Sequence, residues 1–200
     1  MALTDYLVVG LGNPGKKYAG TRHNAGFMAI DHFAEYASFP SWQVKFDGTY
    51  CRRKLSDRQV SLVKPATYMN RSGRCVAAFV RFFKVPQDHI LILHDDLDLP
   101  LGRVKAVAGG GSGGHNGVRS IMRELGGSNF ARLKIGIDRP PRDEQGNGIP
   151  VDRFVLAPFS PEEQDIISSL FLYLDKAVSL FVEEGIVSCM NQINSRNPKR

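Results

Sequence analysis

The sequence contains few cysteines, and their spacing excludes two kinds of stabilisation. Only three occur among the 200 residues, at Cys51, Cys75 and Cys189, and none belongs to a CxxC pair. An odd number of distant cysteines is not typical of a disulfide framework or of a zinc site. We therefore expect three reduced thiols that pack in the protein interior.

Long apolar segments are also missing. The longest uninterrupted apolar run, at 75–80, has six residues, whereas a helix that crosses a bilayer needs roughly 20. The N-terminal residues lack the basic stretch and the long apolar stretch of a secretory signal. These observations predict a cytoplasmic protein with no transmembrane helix and no membrane partner.

Common signatures of metal-dependent and covalent hydrolysis are missing as well. The five histidines show no HExxH or comparable spacing, which argues against a zinc enzyme. The chain has no GxSxG nucleophile elbow, and none of its cysteines lies beside a histidine. We expect no metal, no other cofactor, and no serine or cysteine nucleophile.

The composition that remains is that of a globular protein with unevenly distributed charge. Hydrophobic residues make up 42% and charged residues 23%, which is close to the usage of ordinary folded domains. The net charge is +6, yet residues 161–185 carry six acidic residues against one lysine. The basic remainder suggests a polyanionic partner, although a contribution to solubility would explain the same charge.

Alternating strand and helix patterns predict an α/β protein. The predicted strands are 6–11, 49–55, 59–63, 90–94, 102–107 and 131–137, and the predicted helices are 24–37 with Asn24 as N-cap, 72–83, 118–125, 161–184 as one or two helices, and 186–194. We expect a single-domain sandwich over residues 1–200, in which helices flank a central mixed, mostly parallel sheet. Residues 194–200 are expected to form a flexible tail.

The first predicted strand runs into a glycine motif. Residues 10–15, GLGNPG, match the GxGxxG pattern of dinucleotide sites. However, residues 16–23 separate the motif from the next predicted helix, and no acidic residue ends a second strand about 20 positions on. A tight turn that presents Asn13 at the end of a strand is the alternative, and we favour it.

A second glycine motif, GGGSGGHNG at 109–117, precedes a predicted helix. It contains six glycines, which let a ligand approach the main chain closely at a cost in backbone entropy. No Lys-Ser/Thr follows, so this is not a Walker loop. Because Ser112, His115 and Asn116 lie within it, we predict a substrate-contacting loop, with a flexible lid as the alternative.

A loop histidine and a carboxylate at the end of a strand form the main catalytic pattern. His23 lies in a polar loop before a helix, and Asp95 follows a buried strand. A carboxylate placed there can hold the N–H of a neutral imidazole and stabilise the imidazolium that forms on proton uptake. Magnesium binding is the alternative, although Asp95 and Asp96 point to opposite sides of a strand. Asn70, after another strand, is either a helix cap or part of this site.

Five motifs in this order resemble the bacterial-type peptidyl-tRNA hydrolases over nearly the whole chain. They are GLGNPG followed by Y and TRHNAG (10–26), KPATYMNRSG (64–73), HDDLDLPLG (94–102), GGGSGGHNG (109–117) and RLKIGI (132–137). The resemblance implies a single α/β domain without a metal. It further implies hydrolysis of the ester that joins a peptide to tRNA, which recycles tRNA from stalled translation.

The resemblance also implies roles for single residues. His23 would be the general base and Asp95 its orienting partner. The other implied residues are Asn13, Asn70 and Asn116 for positioning substrate and water, Tyr18, Met69 and His115 in the cleft, and Arg103, Lys105 and Lys134 near the tRNA. Each asparagine offers a donor and an acceptor to a peptide amide, which favours N-blocked substrates over free aminoacyl-tRNA.

Two positions depart from the usual pattern of that family. Val107 stands where many relatives have a second lysine, and Lys134 stands where an arginine is common. A lysine keeps the positive charge but loses the bidentate fork that arginine offers to phosphate. The departures therefore concern tRNA affinity more than the chemistry.

The expected partner is peptidyl-tRNA, bound by a monomer that needs no obligate protein partner. An RNA-binding protein of the same fold without hydrolytic activity is the alternative. The presence of His23, Asp95 and the three asparagines argues against that alternative, since a protein that only binds RNA does not need them.

Overall fold

The structure, a computed structural model, describes residues 4–141, 143 and 145–195. Seven strands of this part of the chain form one sheet. The strands are β1 (Thr4–Gly10), β2 (Gln43–Lys45), β3 (Gly48–Leu55), β4 (Arg58–Pro65), β5 (Ile90–Asp96), β6 (Val104–Ala108) and β7 (Ala131–Gly136). Their order across the sheet is β2-β3-β4-β1-β5-β7-β6.

The sheet is mixed, with a parallel centre and antiparallel edges. The neighbouring strands β4, β1, β5 and β7 all run in the same direction. Antiparallel pairing joins β2 to β3, β3 to β4, and β6 to β7. The predicted α/β sandwich with a mixed sheet is therefore confirmed. Parallel pairs form the centre of the sheet without outnumbering the antiparallel pairs, because both edges fold back.

Helices cover both faces of the sheet. They are α1 (Ala25–Tyr36), α2 (Ser72–Phe83), α3 (Asn116–Leu125), α4 (Val151–Val155), α5 (Pro161–Ser169), α6 (Phe171–Glu184) and α7 (Ile186–Asn194). Within the described residues, none of these helices combines the length and apolarity that crossing a membrane requires. The predicted helix at 161–184 is two helices, with a break at Leu170.

The short elements β2 and α4 were not predicted, because three and five residues are too few to establish a periodic pattern. Most of the predicted tail, residues 196–200, lies outside the described residues. Asn194 does not belong to a tail, because it ends α7 and its side-chain amide pairs with the backbone of Ala106.

The strands are buried on both sides, which explains their continuous apolar runs. In β5, Leu91 and Leu93 pack in one core with α1, α6 and α7, whereas Ile90 and Ile92 pack in a second core with α2 and α3. All four side chains are fully buried. The end of β5 therefore emerges between two layers of helices, and this is where Asp95 lies.

Two glycines, Gly10 and Gly26, allow α1 to pack closely on the sheet. A Cβ atom on Gly10 would lie 2.3 Å from the carbonyl oxygen of Gly26, and one on Gly26 would lie 2.3 Å from that of Leu93. Only glycine permits such a close approach between a helix and a strand. These glycines thus serve helix–strand packing, which fixes the start of α1 and the preceding His23 against β5.

The three cysteines are free and buried, as expected. Burial raises the pKa of Cys51, Cys75 and Cys189 to about 12. Their thiols therefore stay protonated at neutral pH and are poor nucleophiles. This agrees with a mechanism in which no cysteine attacks the substrate.

A buried acidic residue outside the site makes stability dependent on pH. Asp175 in α6 is fully buried, 2.9 Å from His32 Nδ1 in α1. Burial raises the pKa of Asp175 to about 6, although His32 opposes the shift. The folded protein therefore retains a proton that the unfolded chain releases near pH 4, so stability from this group is full below about pH 4 and decreases as the pH rises to about 6.

We expect the wild type to lose unfolding free energy relative to Asp175→Asn as the pH rises over that range. The change should be on the order of 1–3 kcal/mol in favour of the variant as the pH rises from about 4 to about 6.5. Urea unfolding followed by circular dichroism at several pH values measures it. Parallel pH profiles of the two proteins would contradict this prediction.

Candidate active site

The site lies at the carboxyl ends of the parallel strands. Asp95 is the penultimate residue of β5, Asn13 follows β1, and Met69 follows β4. A cavity of about 540 Å³ opens at this edge of the sheet and is lined by His23, Asp95, residues 112–116 and part of α4. We call this cavity the cleft. Polar groups from segments far apart in the sequence thus meet at one place, as is typical of α/β sheets.

His23 contacts Asp95 directly, as the sequence predicted. Its Nδ1 atom lies 2.9 Å from Oδ1 and 3.0 Å from Oδ2 of Asp95. Because an ionised carboxylate only accepts hydrogen bonds, Nδ1 carries the proton and donates it. The lone pair of the neutral ring is then on Nε2, which has no hydrogen-bond partner among the described residues. His23 lines the cleft, so a water molecule there can meet a basic nitrogen.

A second histidine shares the same carboxylate. His115 Nε2 donates to Asp95 Oδ1 at 2.9 Å, while His115 Nδ1 accepts from the backbone N–H groups of Gly117 at 3.1 Å and Val118 at 3.3 Å. His115 is the N-cap residue of α3. Because its Nδ1 accepts from the main chain, the ring is a neutral donor with no free lone pair. The sequence placed His115 in the cleft but did not predict this contact with Asp95.

Asp95 stays ionised in spite of its burial. Only 3% of the residue is exposed, and burial alone would raise its pKa. The two histidines beside this carboxylate outweigh burial, and they hold the pKa of Asp95 well below its usual range. The negative charge is therefore available to stabilise an imidazolium on His23.

His23, Asp95 and His115 bring possible metal-ligating atoms within 4.8 Å of one another. Their hydrogen bonding does not fit a metal. To ligate through Nε2, neutral His115 would carry its proton on Nδ1, where the N–H groups of Gly117 and Val118 already point. The donor set thus fits a hydrogen-bond network rather than a metal centre. Magnesium is disfavoured for a further reason, because Asp96, which also lines the cleft, pairs with Lys134 at 2.5 Å.

The side chain of Asn13 is partly paired within the protein. Its oxygen accepts from the backbone N–H of Met69 at 2.9 Å, which leaves the Nδ2 amide group and one oxygen lone pair for a ligand. The expectation that this asparagine offers both a donor and an acceptor stays a prediction. Asn13 borders a second cavity of about 340 Å³, and its free group is a hydrogen-bond donor.

Other predicted residues divide between the cleft and its surroundings. Asn116 begins α3, is exposed, and lines the cleft. Met69 is 5% exposed and packs in a core, so it supports the site from beneath. Asn70 is exposed, Tyr18 is half-buried, and neither lines the cleft.

Arg132 fixes the glycine-rich loop and was not predicted as a site residue. It is 3% exposed on β7. Its Nη1 donates to the carbonyl oxygen of Gly111 at 2.6 Å, and its Nη2 donates to that of Gly109. Burial lowers the pKa of Arg132, although Asp96 opposes the shift. The start of the loop is thus fastened to the sheet, which does not support a freely flexible lid.

Arg22 fixes the short 3₁₀ turn Arg22–Asn24, which carries His23. Its Nη1 donates to the carbonyl oxygen of Pro158 at 2.9 Å, and its Nη2 contacts Glu163 at 2.5 Å. Glu163 belongs to the capping box of α5. The sequence shows an arginine beside His23, but it does not show that this arginine is buried, because its partners lie far away along the chain.

The predicted tRNA-contacting residues lie near β6. Lys105 is exposed on this edge strand, and Arg103 is half-buried just before it. Lys105 lies opposite Lys134 in the antiparallel register. Because Lys134 pairs with Asp96, Lys105 is the more available of the two lysines.

The fold and the site define an α/β sandwich protein with an imidazole–carboxylate pair at the carboxyl edge of its sheet. The comparisons with known proteins specify which one. The family model described as peptidyl-tRNA hydrolase matches residues 7–200, and the chain belongs to that family.

Relatives and solved structures support this assignment over the whole chain. The peptidyl-tRNA hydrolase of Desulfotalea psychrophila is 43% identical over 195 residues, covering 98% of this chain and 99% of that protein. That of Symbiobacterium thermophilum is 46% identical over 191 residues, covering 94% and 98%. The crystal structure of peptidyl-tRNA hydrolase from Acinetobacter baumannii superposes with a TM-score of 0.88 at 38% identity and covers 100% of both chains. The resemblance inferred from the five motifs is confirmed.

Proposed function

We propose that this chain hydrolyses the ester bond between a peptide and the 3′ end of tRNA by attack of a water molecule that His23 deprotonates. The reaction follows from membership of the peptidyl-tRNA hydrolase family. The catalytic route rests on one observation, the contact of His23 Nδ1 with the buried Asp95, which leaves Nε2 as a base at the cleft.

The proposed reaction proceeds by direct attack of water, without a covalent bond between enzyme and substrate. His23 Nε2 takes a proton from water, and the resulting hydroxide attacks the ester carbonyl to form a tetrahedral oxyanion. Asp95 stabilises the imidazolium, which then returns the proton to the departing ribose oxygen. General base catalysis of this kind contributes on the order of 10²–10⁴ in rate.

Asparagine side chains supply the polar contacts with substrate in this proposal. Asn116, at the cleft, donates from its amide to the developing oxyanion, which is worth roughly 10²–10³ in rate. The Nδ2 group of Asn13 is an unpaired donor, so it suits the carbonyl oxygen of a peptide bond. A free aminoacyl-tRNA presents an ammonium, which is itself a donor and leaves this group unpaired. We therefore propose that the enzyme prefers N-blocked substrates.

A comparison of two substrates tests the proposed function. The protein is incubated with N-acetyl-aminoacyl-tRNA and with unblocked aminoacyl-tRNA in the presence of a chelator, and release of free tRNA is followed. We expect rapid release from the blocked substrate and slow release from the unblocked one. Binding without release would contradict the proposal and would indicate the RNA-binding alternative.

We propose that the enzyme acts as a single-domain monomer in the cytoplasm, where its substrate is produced. The support is that His23, Asp95, His115 and Asn116 all come from one chain. No obligate protein partner is needed to complete this set. Gel filtration of the purified protein tests the monomer, and a stable dimer would contradict it.

The tRNA contacts predict a dependence on salt. We propose that Lys105 and Arg103 contact phosphates, with a smaller contribution from Lys134 because its ammonium pairs with Asp96. The slope of log affinity against log salt should decrease by roughly 1 in Lys105→Ala and by less in Lys134→Ala. Filter binding at several salt concentrations measures it. Equal slopes in the wild type and Lys105→Ala would remove Lys105 from the interface.

A further inference from the structure

Asn24 is a buried polar residue whose side chain has a different role from the one expected. It is the N-cap residue of α1, as predicted, yet its side chain makes no capping hydrogen bond. Only 2% of the residue is exposed. A buried amide at this position needs other partners, because an unpaired one costs about 1–3 kcal/mol.

The partners of Asn24 are both on the backbone of Asn13. The Asn13 N–H donates to Asn24 Oδ1 at 2.8 Å, and Asn24 Nδ2 donates to the Asn13 carbonyl oxygen at 3.0 Å. The side-chain amide thus pairs with both main-chain polar groups of one residue. This arrangement fixes the position and orientation of the Asn13 backbone within the turn after β1.

The orientation of the Asn13 side chain follows from that pairing. With its backbone held by Asn24, Asn13 reaches Met69, whose N–H donates to Asn13 Oδ1 at 2.9 Å. Both ends of the residue are then fixed, and the remaining Nδ2 group has one direction in which to donate. Asn24 is also the neighbour of His23 in the sequence, so the base and the support of Asn13 belong to the same short turn.

We propose that Asn24 is a positioning residue for catalysis, which acts by holding Asn13 so that its amide donor meets the substrate. The inference rests on the proposed hydrolysis and assigns a role to a residue outside the groups that touch substrate. Displacing a positioned group by about 1 Å can cost roughly 10²-fold in rate. Loss of the Asn24 amide should therefore lower kcat by roughly 10- to 100-fold without removing a reacting group.

A double-mutant cycle in the full-length protein distinguishes this role from a general loss of stability. Asn24→Ala, Asn13→Ala and the double variant are compared with the wild type, with N-acetyl-aminoacyl-tRNA as the substrate. If Asn24 acts through Asn13, Asn24→Ala should lower kcat in the wild type and change it less than about twofold in the Asn13→Ala background. An equal loss in both backgrounds would overturn the proposal.

Asn194→Ala is the matched control. Its amide makes the same kind of pair, with the N–H of Ala106 at 2.9 Å and the carbonyl oxygen of Ala106 at 2.8 Å, but at the edge of the sheet. We expect Asn194→Ala to lower the melting temperature while kcat stays within about twofold of the wild type. If it lowers kcat as much as Asn24→Ala does, loss of an amide–backbone pair has a general effect and the proposal fails.

Further variants keep the test decisive if Asn24→Ala does not fold. Asn24→Asp retains an acceptor for the Asn13 N–H and loses the donor, and Asn24→Ser provides a smaller polar side chain. Either one replaces Asn24→Ala in the same cycle. A wild type that releases no tRNA would refute the proposed function. An active wild type whose Asn24 variants keep the wild-type kcat would refute only the role of Asn24.

Discussion

Replacing His23 with alanine should lower kcat by about 10²–10⁴-fold, with little change in tRNA affinity. The reason is that His115, the nearest histidine, cannot take over as base. Its Nε2–H donates to Asp95 and its Nδ1 accepts from Gly117 and Val118, so it has no lone pair to offer. His23 is not among the residues proposed to contact phosphates, so binding should survive its loss.

Single-turnover hydrolysis of N-acetyl-aminoacyl-tRNA, together with filter binding of uncharged tRNA, measures both quantities. His89→Gln is the control, since His89 precedes the amino end of β5, opposite the site, and stacks on Tyr6 with ring centroids 4.3 Å apart. That variant should retain the wild-type rate. A fully active His23→Ala would exclude the general base role.

Asp95→Asn should produce a loss of similar or larger size, up to about 10⁴-fold in kcat. In the wild type the carboxylate accepts hydrogen bonds from the N–H groups of two histidines at once. The amide of the variant offers one acceptor oxygen and one donor group. Because the main chain holds His115 in its tautomer, His23 is the ring that must change. Its Nδ1 would then accept from the new amide and its Nε2 would carry the proton, which leaves no base at the cleft.

The pH profile separates this tautomer effect from a loss of folding. Asp95→Asn should unfold cooperatively and bind tRNA, yet remain inactive at every pH at which it is folded. Asp98→Asn is the matched control, because Asp98 is 60% exposed and contacts Arg139 rather than a histidine. Wild-type turnover by Asp95→Asn would show that the carboxylate is not required to orient His23.

The predictions from sequence succeeded where the pattern was long and regular. The helix at 72–83 and the hairpin of β3 and β4 were located closely, because apolar spacing and turn residues define such elements locally. The same reasoning missed β2 and α4, and it assigned Asn24 a capping role that its side chain does not have. A local preference for capping gave way to a pairing with Asn13, because the fold brings Asn13 within reach and buries both.

The sequence by itself determined the residue types of the site and the strand ends on which they lie, since burial periodicity and turn chemistry are local properties. Only the tertiary structure decided which polar groups share a partner. The contact of His23 with Asp95 spans 72 positions, and the sharing of that carboxylate by His115 depends on where α3 begins. Periodicity reports which face of an element is buried, but the hydrogen-bond partner across the interface depends on the packing of the whole sheet.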